Sequence, residues 1–218
     1  MSIAHKILFY PVSNGDTSQI ILQDGRRLLF DFNHRAVGEQ ENSPHIDLKL
    51  ILSEELKASN KKNVDVFAIS HTDIDHISGA VDFFELRHAE KYQGDDRIKI
   101  ETLWVPAVVL LDRVKIDERS DDFALWKKEA WHRLMEGKGI RVFSKPAELM
   151  KMLAVKLEEK HLPANARDQF FVEAGQLVRD FTLESDGIEF FCHSPFADHE
   201  EDGVGARLKL PSRARCKT

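Results

Sequence analysis

The chain has 218 residues, is 42% hydrophobic and 31% charged, and carries a formal net charge of -6. That is enough chain for one substantial core, and the composition excludes a disordered or fibrous protein. The acidic balance argues against a general nucleic-acid binder, which concentrates Lys and Arg against phosphates, although a local basic groove stays open.

Two cysteines, Cys192 and Cys216, make no disulfide framework and point to a reducing compartment. The opening MSIAHKILFYPVSNGD lacks the apolar core and cleavage site of a signal peptide, and no apolar run approaches the roughly 20 residues a membrane helix needs. A cytoplasmic protein without a membrane partner is expected.

In chain order, residues 5–32 predict a β-meander. Asn14-Gly15-Asp16 and Asp24-Gly25 are turn signals separating three short apolar strands. A polar loop over 33–45 precedes a helix over about 46–59. Val64 to Ile69 reads as a buried strand, and a helix over about 77–92 should turn Val81, Phe84 and Leu86 inward. A strand over Ile98 to Val105 ends at Pro106. An amphipathic helix over 121–136 carries Phe123, Trp126, Ala130 and Leu134, with Ser120 as a possible cap. Ile140 to Phe143 predicts a strand, 146–160 a second helix, and Val178 to Leu183 with Ile188 to Cys192 a last hairpin. The alternation indicates a mixed α/β class.

Chemistry concentrates in one place. His71, Asp73, Asp75 and His76 put four metal-competent side chains within six residues, directly after the buried strand. Imidazole and carboxylate both bind Zn²⁺ or Mn²⁺, and two neighbouring ions need such a density of ligands. A strand end is rigid, and the small Gly79 lets the following segment start close to the loop. The competing reading is a solvated loop whose Asp and His cap the next helix.

The stretch His71-Thr72-Asp73-Ile74-Asp75-His76-Ile77-Ser78-Gly79 resembles the HxHxDHxxG signature of metallo-β-lactamase-fold hydrolases, with Asp73 at the second His. The HxDxDH form is similar to the hydrolase domain of bacterial competence proteins and their soluble relatives. Val12 to Ile20 and Arg27 to Phe32 resemble that subgroup's opening hairpin and its Asp-bearing strand, and Ile188 to Pro195 its short Pro-terminated strand.

The resemblance implies an αββα sandwich whose first half fills about 1–204. It further implies a helical insertion over about 106–176 and a second half largely missing. His71 and Asp73 would hold the first metal, and Asp75 and His76 the second. Asp75 would also orient the attacking water, while Asp16 and Asp31 would serve turns and outer hydrogen bonds. The cofactor would be Zn²⁺ at two sites, with Mn²⁺ favoured somewhat by the harder Asp73. The expected activity is metal-dependent hydrolysis, with a phosphodiester or nucleic acid as substrate by fold analogy.

The resemblance also places later ligands beyond what this chain supplies. The last fourteen residues hold Arg207, Lys209, Arg213, Arg215 and Lys217 and no acid, so 205–218 reads as a truncated, out-of-frame or basic tail. His193, Asp198 and His199 are weaker substitutes, set in a Pro-ended corner and an acidic loop. The alternative expectation is a non-catalytic relative or partner-binding subunit with an incomplete metal site. A half domain would leave strand edges and a sheet face bare, which predicts self-association or a partner chain that completes the fold.

Overall fold

The computed structural model describes residues 4–12, 16–70, 72–110, 121–143, 170–172, 176 and 178. The helix expected over 146–160, the last hairpin apart from Val178, the possible cap Ser120 and the basic tail lie outside the described residues.

Among the described residues, seven strands form one sheet in sequence order: β1 (Lys6–Phe9), β2 (Ser18–Ile21), β3 (Arg27–Phe30), β4 (Asn63–Ala68), β5 (Lys99–Pro106), β6 (Ile140–Phe143) and β7 (Phe171–Val172). The first three pair antiparallel, as the turn signals predict. At the second turn Gly25 adopts φ 84, and the N–H of Leu22 donates to Arg26 O. From β3 onward every pairing is parallel. The class is therefore mixed α/β with a mostly parallel sheet.

Parallel neighbours need crossovers. Strands laid down in one direction with crossovers of one hand put every crossover on the same face. The helices α1 (Leu48–Ala58), α2 (Ile74–Ile77), α3 (Ala80–Phe83) and α4 (Asp121–Glu136) supply those from β3 to β4, β4 to β5 and β5 to β6. Leu48, Leu52 and Leu56 of α1 and Phe123, Trp126, Ala130 and Leu134 of α4 join Leu29, Phe67, Leu103 and Val142 of the sheet in one core. The alternate strand residues Leu28, Val66, Ala68 and Trp104 point to the other face, where Val172 and Val178 pack with them.

That second face is buried along the middle of the sheet, with Leu28 and Val66 at 0% exposure. It is open at the β1 edge, where Ile7 is 63% and Phe9 81% exposed. The described part of 106–176 holds α4 and two strands in register with the sheet. Among the described residues, no helix is long and apolar enough to cross a membrane.

One expected element is corrected. The helix over about 77–92 is instead two single turns, α2 and α3, broken by Gly79 at φ 73. Phe84 is extended and bridges to Ile98, and only a 3-10 turn at Glu90–Tyr92 follows. Val81, Phe84 and Leu86 are nevertheless buried, at 5%, 0% and 0%. Burial here comes from a loop folded over the core edge rather than from a helix stripe.

The α4 helix also buries a charge pair. Arg133 Nε donates to Glu129 Oε1 at 2.6 Å with both side chains essentially inaccessible. Glu129 Oε2 accepts from the His88 N–H at 3.0 Å, and Arg133 donates to the carbonyls of Ile100, Glu101 and Gly139. Burial alone would raise the Glu129 carboxyl. The Arg133 charge and the backbone N–H groups of Arg87 and His88 outweigh it and hold that carboxyl below its ordinary range.

Candidate metal centre

The site lies at the carboxyl ends of the parallel strands, the usual ligand-binding edge of such sheets. Phe30 pairs with Ala68, and the ladder continues past both strand ends as the Asp31 N–H donates to Ala68 O at 2.8 Å. Asp31 therefore stands beside Ile69, next to the start of the motif loop. It adopts φ 55, a left-handed conformation that Asp tolerates better than most side chains.

This turn swings the Asp31 carboxylate back over β4, where it is 5% exposed. Its Oδ1 accepts from the Ser70 N–H at 2.7 Å and its Oδ2 from the Ser70 hydroxyl at 2.6 Å. The same Oδ2 lies 3.1 Å from His76 Nδ1. His76 is 6% exposed, its N–H donates to Asp73 O, and its own carbonyl accepts from the Phe32 N–H at 2.8 Å. The segment after Asp31 thus runs beside the motif loop and fixes its backbone, with the Asp31 carboxylate set beside the imidazole.

Asp75 stands on the other side of the ring, with Oδ1 3.8 Å from His76 Nε2, and its side chain is 41% exposed. Asp73 is exposed at the N-cap position of α2 but makes no side-chain cap hydrogen bond, so the capping reading does not describe it. His71 lies outside the described residues. Asp16 is exposed, and its expected turn partners Asn14 and Gly15 also lie outside them.

The structure therefore brings Asp31, Asp75 and His76 together. They do not converge on one point, because the imidazole stands between the two carboxylates. Among the described residues, no group of three or more His, Cys, Asp or Glu side chains is arranged to hold a metal ion. A pairwise fit does exist. Metal-ligating histidines characteristically set their other ring nitrogen against a carboxylate, and His76 Nδ1 lies 3.1 Å from Asp31 Oδ2, within ion-pair distance but without hydrogen-bond alignment. Two donors on one tetrahedral ion lie roughly 3.4 Å apart, close to the 3.8 Å between His76 Nε2 and Asp75.

Sequence reasoning missed His34. The polar composition of 33–45 predicts a loop, yet His34 is 5% exposed beneath Gly79. Beyond Gly79, Asp122 at the start of α4 accepts that glycine's N–H. Burial and the neighbouring charges of Asp82 and Asp121 push the Asp122 carboxyl above its ordinary value.

No family model, curated protein or solved structure matches this chain. The geometry and the motif resemblance carry the functional reading.

Proposed function

We propose that this chain is a metal-dependent hydrolase of the metallo-β-lactamase fold that cleaves a phosphodiester or nucleic acid. The observation that carries the reading is the Asp31–His76 contact at 3.1 Å, which leaves His76 Nε2 facing Asp75. A buried carboxylate behind an imidazole is the arrangement that orients a metal ligand and raises its basicity. The sheet agrees with the fold proposal: antiparallel β1 to β3 lead into parallel strands, the helices take one face, and the other face is apolar.

Following the motif resemblance, His71 and Asp73 would hold one ion, and Asp75 and His76 the other. A bound Zn²⁺ or Mn²⁺ lowers the pKa of its water toward neutrality and polarises the scissile bond. Asp31, 3.1 Å from Nδ1, would set the His76 ring, and Ser70 keeps Asp31 in place. Asp75, the more exposed carboxylate, would orient the attacking water. Asp73 in place of an imidazole makes the set harder and more anionic, which favours Mn²⁺.

The non-convergence of Asp31, Asp75 and His76 favours a second reading, a non-catalytic chain that uses the fold to bind a partner. Elemental analysis of Zn and Mn in protein purified without chelator separates the two. The hydrolase reading expects metal that is lost on His71→Ala, together with cleavage of bis(p-nitrophenyl) phosphate that follows metal content. Protein that takes up neither ion, with no change on His71→Ala, sinks it.

A further inference from the structure

We propose that His34 is a positioning residue for this metal centre: its buried imidazole, tied to Glu39 and wedged beneath Gly79, sets where Asp75 and His76 stand. The inference rests on the metal-centre reading above. The His34 N–H donates to Ser78 O at 3.0 Å, and the Ser78 hydroxyl donates back to His34 O at 3.3 Å. A Cβ added at Gly79 would lie 3.2 Å from His34 Cβ and 3.3 Å from its Cδ2. The backbone that leaves His76 therefore rests directly on the His34 side chain.

The ring is held from behind. His34 Nε2 lies 2.7 Å from Glu39 Oε1, and since a carboxylate only accepts, Nε2 carries the proton and donates it. His34 Nδ1 lies 3.9 Å from Oδ1 of Asp47, the carboxylate that caps α1 through the Leu50 N–H. His34 thus joins the motif loop to the 3-10 turn at Ala36–Glu39 and to the start of α1. Stability alone does not call for an imidazole here, because an apolar ring of similar size fills the space without a buried polar group to satisfy. What the Glu39 bond adds is a fixed orientation, and the loop bearing Asp75 and His76 inherits it.

The test uses the full chain and two readouts: Zn²⁺ and Mn²⁺ affinity by competition with a chromophoric chelator, and the melting temperature of the metal-free protein. His34→Phe should weaken metal binding on the order of tenfold, the size of outer-shell effects, while the metal-free protein still melts cooperatively. Glu39 is half-exposed, at 51%, so its variants should fold even where a His34 variant does not. Glu39→Ala should also weaken binding, and Glu39→Gln should restore most of it because the amide oxygen still accepts from Nε2. Wild-type affinity in both His34→Phe and Glu39→Ala, with only melting altered, would make His34 purely structural and overturn the proposal. A wild-type chain that binds neither ion overturns the metal-centre reading itself, and with it this inference.

Discussion

Asp31 Oδ2 meets His76 Nδ1 at 3.1 Å because β3 and β4 are parallel neighbours that end level with each other. The left-handed turn at Asp31 then aims its carboxylate across the gap, and Ser70 locks it there with two hydrogen bonds. Backbone strain of this kind persists where the surroundings over-determine it, which often marks a functional site.

Asp31→Asn separates orientation from folding. Asn tolerates the same left-handed φ and keeps an acceptor for the Ser70 N–H, but its amide cannot serve Ser70 Oγ and His76 Nδ1 as a carboxylate does. Metal affinity should fall about 10–100-fold in chelator competition with little change in melting. Asp31→Ala should in addition cost about 1–3 kcal/mol by urea denaturation, since two hydrogen bonds from Ser70, at roughly 0.5–1.5 kcal/mol each, are lost. Wild-type metal binding by Asp31→Asn would remove Asp31 from the site.

Gly79→Ala tests the wedge. Both Gly25 (φ 84) and Gly79 (φ 73) are left-handed, so alanine costs about 1–2 kcal/mol of backbone strain at either. Gly25 has nothing within 4 Å of an added Cβ, whereas Gly79 would press on His34 at 3.2 Å. The urea midpoint should therefore fall further for Gly79→Ala than for Gly25→Ala. Equal falls would mean that the loop yields freely and that His34 does not brace it.

Glu129 and Arg133 govern acid stability. Removing one member of a buried pair leaves an uncompensated charge, and Glu129→Ala should cost about 3–5 kcal/mol. Adding Arg133→Met should recover part of that loss, which a double-mutant cycle measures. The Glu129 carboxyl titrates lower in the folded chain than its ordinary 4.5. Its contribution is therefore full above that value and is lost as pH falls through the lowered folded value. Urea midpoints recorded through the acid range should drop for the wild type. The drop should be shallower for Glu129→Gln.

Much of this was legible in the sequence, and the exceptions have physical reasons. The turn at Asp24-Gly25 and the periodicity of 121–136 are local signals, and both hold in the fold. The burial of Glu129 and Arg133 has a signal in the spacing: positions 126, 129, 130, 133 and 134 share one helix face, so both charges lie inside the apolar stripe. Val81 and Phe84 have helical spacing, but Gly79 and the extended Phe84 break the helix, and sheet pairing with Ile98 decides the outcome. The burial of His34 has no local signature, because it depends on a glycine distant in sequence leaving room above the ring. At the site, the motif singles out Asp75 and His76, and the hairpin resemblance points to Asp31, whose carboxylate accepts from Ser70 and lies 3.1 Å from His76 Nδ1.

The β1 edge makes the last prediction. Tyr10 donates to Thr17 O, so in the alternating antiparallel ladder Lys6 and Leu8 bond toward β2. Ile7 and Phe9 then turn their main-chain groups to the open edge, and their side chains are 63% and 81% exposed. An edge strand whose outward main-chain groups have no strand partner among the described residues, with two large apolar side chains, is a template for another strand. Wild-type protein should self-associate in sedimentation velocity, more so as concentration rises. Phe9→Lys should suppress this by forfeiting roughly 1.5–3 kcal/mol of apolar burial and setting a charge on the edge. Association that persists unchanged in Phe9→Lys would place the contact elsewhere, and a wild type that stays monomeric would show that this edge does not template pairing.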